Sequence, residues 1–375
     1  MILRRHGDFM AASAQSRRFV CEACGGEQSF DAAIGRLKCK YCGAERDVPA
    51  DSNGTVVERD LWQGLAAAPR GLDIAETKTS VCQECGAHVA FPDGVTATTC
   101  TFCGSSRVLE ESENRRALRP ESLLPFAIDK KRAQAAFTAW LGGLWFRPSN
   151  LKAMATVSEL AGVYIPFWTY DAHVDSSWTA EAGFYYYVDE EYTTQEGGKT
   201  VTKTRQVRHT RWERAWGSRS DDYDDLLVCA SQGLPRELAD RFKTFNMAAL
   251  VPYSAGFLAG WRAEEYGVDL QAGFDVAKQR IVAGQEQRCA RDVPGDTHRG
   301  LRVENTLSDL TYKHVLLPLW IAAYRYDGKV YRFLVNGSTG EVVGKAPWSW
   351  VKITLTVLAI VAVVIALWLL FGRTR

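Results

Sequence analysis

Eight of the ten cysteines in this 375-residue chain fall into two copies of one spacing. Cys21-Glu-Ala-Cys24 is followed after fourteen residues by Cys39-Lys-Tyr-Cys42, and Cys82-Gln-Glu-Cys85 after the same gap by Cys100-Thr-Phe-Cys103. A glycine follows each pair, at Gly25, Gly43, Gly86 and Gly104. Two intervening residues let both thiolates reach one ion, and the glycine lets the backbone turn its amides toward the sulfurs. Two such knuckles complete a tetrahedral four-thiolate site with no position open to substrate, which is the structural kind of zinc centre. The pattern therefore predicts two structural Zn2+ ions. One is held by Cys21, Cys24, Cys39 and Cys42 in a zinc ribbon over 19–48, the other by Cys82, Cys85, Cys100 and Cys103 in a ribbon over 80–109. Pairing knuckles within each copy closes shorter loops than pairing them across copies. A redox dithiol would call for a βαβ surround that is missing here, and disulfides would call for an oxidising compartment. His88, three residues after Cys85, reads as a surface histidine beside a complete ligand set.

Other sites for chemistry are weak. Gly197-Gly198-Lys199-Thr200 imitates the end of a phosphate-binding loop, but Thr193 stands where the first glycine is needed, and a polar strand follows instead of a helix. It reads as a hairpin tip. Asp221, Asp222, Asp224 and Asp225 lack the spacing of a calcium loop and read as a solvated loop. Cys229 lies in an apolar stretch and reads as a core residue, and nothing near Cys289 marks it as reactive. Neither H-E-x-x-H nor G-x-S-x-G occurs. The expectation is a protein that is not an enzyme, with no catalytic residue and no cofactor beyond zinc. Lysine and arginine number 45 against 44 aspartates and glutamates, and the basic residues around both ribbons are offset by acidic ones. Phosphate binding needs concentrated positive charge, so a membrane-associated nucleic-acid-binding regulator is the second reading, not the first.

The rest of the chain must position these ribbons. From Ile353 to Phe371 no residue is charged, a run long enough to cross the hydrocarbon core as a helix. Trp348, Trp350 and Trp368 flank or enter it, as rings do at headgroup depth. The expectation is a single membrane span over 351–371 with a short tail at 372–375, read as a tail anchor. Lysines and arginines are nearly balanced across it. The N-terminal residues hold no continuous apolar run of the signal-peptide type, and eight metal-binding thiolates favour a reducing compartment. The ribbons are therefore expected on the cytoplasmic side of the inner membrane.

Between ribbons and span, a helical-looking linker is expected over 49–79 and a sizeable domain over 120–346. Four motifs punctuate that domain: Leu124-Pro125-Phe126, Ile165-Pro166-Phe167-Trp168, Val251-Pro252-Tyr253 and Leu317-Pro318-Leu319-Trp320. The second and fourth each open a strand-like run, a recurrence that suggests an internal duplication, with proline tolerated at a strand's first residue. Asp327-Gly328 and Asn336-Gly337-Ser338-Thr339-Gly340 mark turns between strands. Helices are expected at 129–145 with Asp129 as N-cap, at 235–246 after Pro235, and at 269–291. The fold class is α+β: two N-terminal zinc ribbons, an antiparallel sheet with helices packed against it, and a C-terminal membrane helix.

The knuckles, together with LLPFAIDKKRAQAAFTAWLGGLWFRPSNLK, VYIPFWTYDA, LVPYSAGFLAGWRAEEYGVDL and LLPLWIAAYRYDGKVYRFLVNGSTGEVVG, resemble a bacterial family of membrane-anchored proteins with twin zinc ribbons of the transcription-factor-IIB type. Its members are often catalogued as primosomal protein N', a superfamily II helicase. A helicase needs nucleotide-binding motifs that this chain lacks. The resemblance implies a platform at the membrane that recruits SPFH-domain or phage-shock-protein-A-like partners in membrane assemblies or envelope stress. It supplies no catalytic residues, only the eight cysteine ligands, all present here.

Overall fold

The computed structural model describes residues 19–49, 55–67, 74–77, 79–82, 88–90, 102, 110–111, 115–118, 120–148, 160–242, 244–326 and 329–371. A three-stranded antiparallel sheet comes first, of β1 (Gln28–Asp31), β2 (Arg36–Cys39) and β3 (Glu45–Arg46). Strand β4 (Arg59–Asp60) leads into α1 (Leu61–Ala67). Five short strands follow: β5 (Ile74–Thr77), β6 (Thr79–Val81), β7 (His88–Ala90), β8 (Glu110–Glu111) and β9 (Arg115–Leu118). β5 pairs with β9, and β6 lies between β7 and β8, which places His88 opposite Val81.

The body comprises β10 (Ser122–Leu123), α2 (Lys130–Gly142), β11 (Ala161–Glu196), β12 (Lys199–Cys229), α3 (Arg236–Ala239), β13 (Val251–Pro252), β14 (Arg262–Ala263), α4 (Leu270–Asp292), β15 (Thr297–Tyr326), β16 (Lys329–Asn336) and β17 (Val342–Gly344). The last helix, α5, spans Trp350–Phe371. The architecture is α+β, built on antiparallel pairing. β11 runs between β12 and β15, with Phe167 opposite Cys229 and Val315. At about 3.3 Å per residue, the 36 residues of β11 extend about 120 Å. β15 accompanies β11 only as far as Gly183, opposite Thr297. Residues 184–196 and 199–211 therefore continue as a two-stranded arm, closed at Gly197-Gly198 as a hairpin, as their sequence predicts.

Alternation along β11 sorts the core. Val163, Ile165 and Phe167 face one side with Leu317, Leu319 and Leu334. Trp168, Tyr170 and Val174 join a separate cluster with the buried stripe of α4, Leu270, Phe274, Ala277 and Ile281, whose three- and four-residue spacing is that of one helix face. Asp269 caps α4 by accepting from the Ala272 amide, and Asp129 caps α2 by accepting from the Arg132 amide. Phe137 of α2 stacks on Phe333, 3.6 Å between ring centres. Cys229 and Cys289 are both buried, and burial pushes the Cys229 thiol up to about 12, so it is inert at neutral pH.

Four expectations need correction. Pro166 and Pro318 lie inside β11 and β15, not at their starts. The Pro166 carbonyl accepts from Ala230 and the Pro318 carbonyl from Gly337, each just past the end of a neighbouring strand. On its own edge, Pro166 falls between the pairing with β14 and that with β12, and Pro318 between β10 and β16. A missing N–H costs nothing where one partner strand hands over to the next. The helix expected at 235–246 shortens to α3, because the chain turns at Asp240 to bury Leu238 and Ala239. Among the described residues of the linker only α1 is helical, and β4 instead pairs with β15, Thr311 opposite Asp60.

The acidic cluster at 221–225 is part of β12, not a loop. There Asp221 pairs with Arg219 at 2.6 Å and Arg288 at 2.7 Å, which hold its carboxyl well below the usual range. The ammonium of Lys313, buried in the sheet, bridges Asp225 at 2.8 Å and Glu58 at 2.9 Å. Lys313→Met should lower unfolding free energy by about 2–3 kcal/mol, since it strands Asp225 in the sheet, with half-exposed Glu58 losing little. A shift of the denaturant midpoint without a change in slope would establish this, and an unchanged midpoint would refute it.

Candidate metal centre

Cys21, Cys24, Cys39 and Cys42 come together in space. Their four sulfurs lie within 4.8 Å of one another, with Cys21 and Cys42 Sγ 3.6 Å apart and Cys24 and Cys39 Sγ 3.5 Å apart. A tetrahedron with metal–sulfur bonds of about 2.3 Å puts its sulfurs about 3.8 Å apart, so this donor set can hold a metal ion and is compatible with a zinc ribbon. Each knuckle closes the same way. The Gly25 amide donates to the Cys21 carbonyl at 2.8 Å and the Gly43 amide to the Cys39 carbonyl at 3.1 Å. Both glycines adopt φ near +75°, at 72° and 76°, which a side chain would strain.

The electrostatics suit a cation. Amides of Cys42 and Tyr41 hold the Cys39 thiol down to about 6. At Cys24 the Gly26 amide also lowers the pKa, but hydrogen bonds shared with Cys42 and Cys39 outweigh it and raise the thiol to about 12. Four sulfurs this close cannot all be thiolates without a positive charge among them, and a divalent ion would supply it. Among the described residues near this centre, Arg36 pairs with Asp47 at 2.8 Å and Arg46 with Glu22 at 2.9 Å, so each of these two arginines has an acidic partner.

Sequence spacing identifies the four clustered cysteines but not what supports them. Phe30 and Leu37, from β1 and β2, are buried in the same cluster as Phe126, Phe137 and Trp320 of the body. The Phe30 amide donates to the Ala259 carbonyl, and Trp261 Nε1 donates to the Phe30 carbonyl, both at 2.9 Å. Ser254 Oγ reaches the Pro49 carbonyl at 2.7 Å, and the Phe30 ring meets Phe257 edge-on. Trp261 in turn stacks on Phe126, 4.0 Å between ring centres. Burial of Phe30 and Leu37 contributes about 1.5–3 kcal/mol each, so tertiary packing against the body supports this module.

Of the second predicted ligand set, Cys82 is buried with Phe102 against Leu124, Val163 and Ile165. Cys85, Cys100 and Cys103 lie outside the described residues. Carboxylates of Glu58, Asp171 and Asp224 also approach within 4.8 Å, but Lys313 already supplies positive charge there through its 2.9 Å bond to Glu58. Helix α5 contains one stretch, Trp350–Leu369, with mean hydropathy 2.5 and none of it buried, long and apolar enough to cross a membrane.

Comparison with known proteins adds one relative. The chain is 27% identical over 336 residues, 89% of its length and 91% of the other, to the uncharacterized protein YdjG of Bacillus subtilis (strain 168). No family model and no solved structure matches. Chelation of the purified protein should expose 19–49 to protease while leaving 160–345 resistant, and Cys39→Ser should remove one equivalent of bound metal. Metal content unchanged by that substitution would break the ligand assignment.

Proposed function

We propose that the protein is a non-enzymatic, membrane-anchored zinc-ribbon adaptor on the cytoplasmic face of the inner membrane of a bacterium. On this reading both cysteine sets hold structural zinc, two ions per chain, and α5 fixes the assembly in the bilayer. The observation that carries it is the packing of a module with four clustered cysteine sulfurs against a sheet that projects a long arm. A four-sulfur set leaves no coordination position for a substrate, so its contribution is shape. The arm extends that shape beyond the core, with Tyr186, Tyr187 and Tyr192 exposed on it. Exposed tyrosines of this kind are favoured in protein interfaces because they bury large area at small entropic cost. Thiolate ligation favours a reducing compartment and hence the cytoplasmic side. The resemblance to twin-ribbon membrane proteins points to SPFH-domain or phage-shock-protein-A-like proteins as the recruited partners.

Nucleic-acid binding is the second reading, and one feature favours it: Lys199, Lys203, Arg205, Arg208 and Arg211 all lie on β12 along the arm. Several are engaged within the arm. Arg208 lies over the Tyr185 ring at 4.3 Å, and Arg205 reaches Glu190 at 3.4 Å. Partners recovered from gently solubilised membranes, with and without nuclease, separate the two readings. Shortening the arm by joining Tyr185 to Thr210 through Gly-Gly should abolish recovery of protein partners and leave membrane association and metal content intact. Partners lost only after nuclease treatment, or binding of nucleic acid that falls steeply with salt, would favour the second reading instead.

A further inference from the structure

The segment after α2, residues 143–148, ends against the start of α5, and its exposed residues are not those of a soluble loop. Trp145 is 74% exposed, and Trp348 and Trp350 are 59% and 74% exposed. Phe146 is also exposed. These four aromatic side chains come from two stretches about two hundred residues apart and are tied together by hydrogen bonds. The Ser349 amide donates to the Phe146 carbonyl at 2.8 Å, and Lys352 Nζ donates to the Trp145 carbonyl at 3.2 Å. Arg147 donates to the Ala346 carbonyl and lays its guanidinium over the Trp348 ring at 4.0 Å. Ser349 also accepts the Ile353 amide at its carbonyl, so this junction opens directly into the first turn of α5.

From this geometry we infer that the 143–148 segment is a second membrane contact. Trp145 and Phe146 enter the headgroup layer beside the first turn of α5, and Arg147 and Lys352 lie at phosphate depth. The inference rests on α5 being a membrane span, but it adds a residue set that the span alone does not require. Bonds of 2.8 and 3.2 Å to residues 349 and 352 fix the loop at the depth of the helix start, which in a spanning helix is the interface. Indole and phenyl rings with adjacent cations are the side chains that this layer accepts: the rings sit among the upper acyl carbons and the cations reach phosphate oxygens. A single helix leaves the cytoplasmic body free to swivel. A second contact tied to the body through α2 removes that freedom and seats the body in one orientation on the bilayer.

The test uses the full-length protein in vesicles of phosphatidylcholine with phosphatidylglycerol, in which a share of the lipid carries bromine on the upper acyl carbons. Bromine quenches tryptophan only at near contact, so the quenching lost in Trp145→Phe reports Trp145, and that lost in Trp350→Phe reports the start of α5. The expected result is comparable loss in the two variants. Quenching lost with Trp350→Phe but unchanged with Trp145→Phe would overturn the second contact and leave the span standing. That outcome would include Trp145 being covered by another protein surface or a second copy of the chain. If neither variant changes the quenching and the protein fails to float with the vesicles, the span itself is wrong and the inference falls with it. Trp145→Tyr, which keeps an interfacial ring, should preserve the protease protection of residues 143–148 that Trp145→Asp removes, so loss of protection is not confused with misfolding.

Discussion

Everything in the body depends on one strand having hydrogen-bonded partners on both sides. β11 exchanges backbone bonds with β12 along one edge and β15 along the other, so its polar groups are satisfied while both its faces are apolar. That double pairing permits buried Trp168, Tyr170 and Tyr164 in a single strand, because backbone groups on both edges find partners in neighbouring strands. Where β15 stops, at Thr297, the faces lose their cover, and the strand pair continues into solvent with polar and ring side chains.

The long ladder is not uniform. Its register shifts beside Asp171 on both edges, between Tyr170 and Ala172 toward β12 and between Asp171 and His173 toward β15. Asp225 and Asp309, with φ of 51° and 50°, lie in β12 and β15, and aspartate is among the few side chains that tolerate that conformation. Asp171 binds both neighbours, accepting from the Asp225 amide at 2.6 Å and from Thr311 Oγ1 at 2.7 Å. Burial pushes its carboxyl pKa up, against the pull of these donors. Lys313 completes the knot through Asp225 and extends it to Glu58, so the stretch before α1 is held to the centre of the sheet. Bulges on both sides of one residue raise local twist, which a strand of this length needs in order to cross a core without flattening.

Much of this was legible in the residues. The cysteine spacing marked the four sulfurs now seen within 4.8 Å of one another, because a set of thiols able to share an ion is a local constraint repeated at fixed offsets. Asp129 announced its helix, since a cap acts within three residues, and Gly197-Gly198 announced its turn for the same reason. The α+β class followed from alternation and turns. Less legible were the places where two distant segments settle each other's conformation. Pro166 and Pro318 read as strand openers because only the neighbouring strands, arriving from β14, β12, β10 and β16, show which N–H positions go unused. The aspartates at 221–225 read as a solvated loop because their arginine and lysine partners lie on α4 and β15 and, in one case, two residues back along β12.

By itself the sequence determined what is local: which thiolates can share an ion, where helices and hairpins begin, and which stretch is apolar enough for a bilayer. Each depends on a few consecutive side chains and on solvation, which spacing and composition encode. Tertiary structure decided how the four-cysteine module is held, through Phe30 and Leu37 entering the body's core and Trp261 bridging to Phe126, and it decided that Trp145 meets the start of α5. Those choices turn on surfaces brought together across hundreds of residues. Their energy comes from area buried and hydrogen bonds completed between partners that no local pattern in the chain relates.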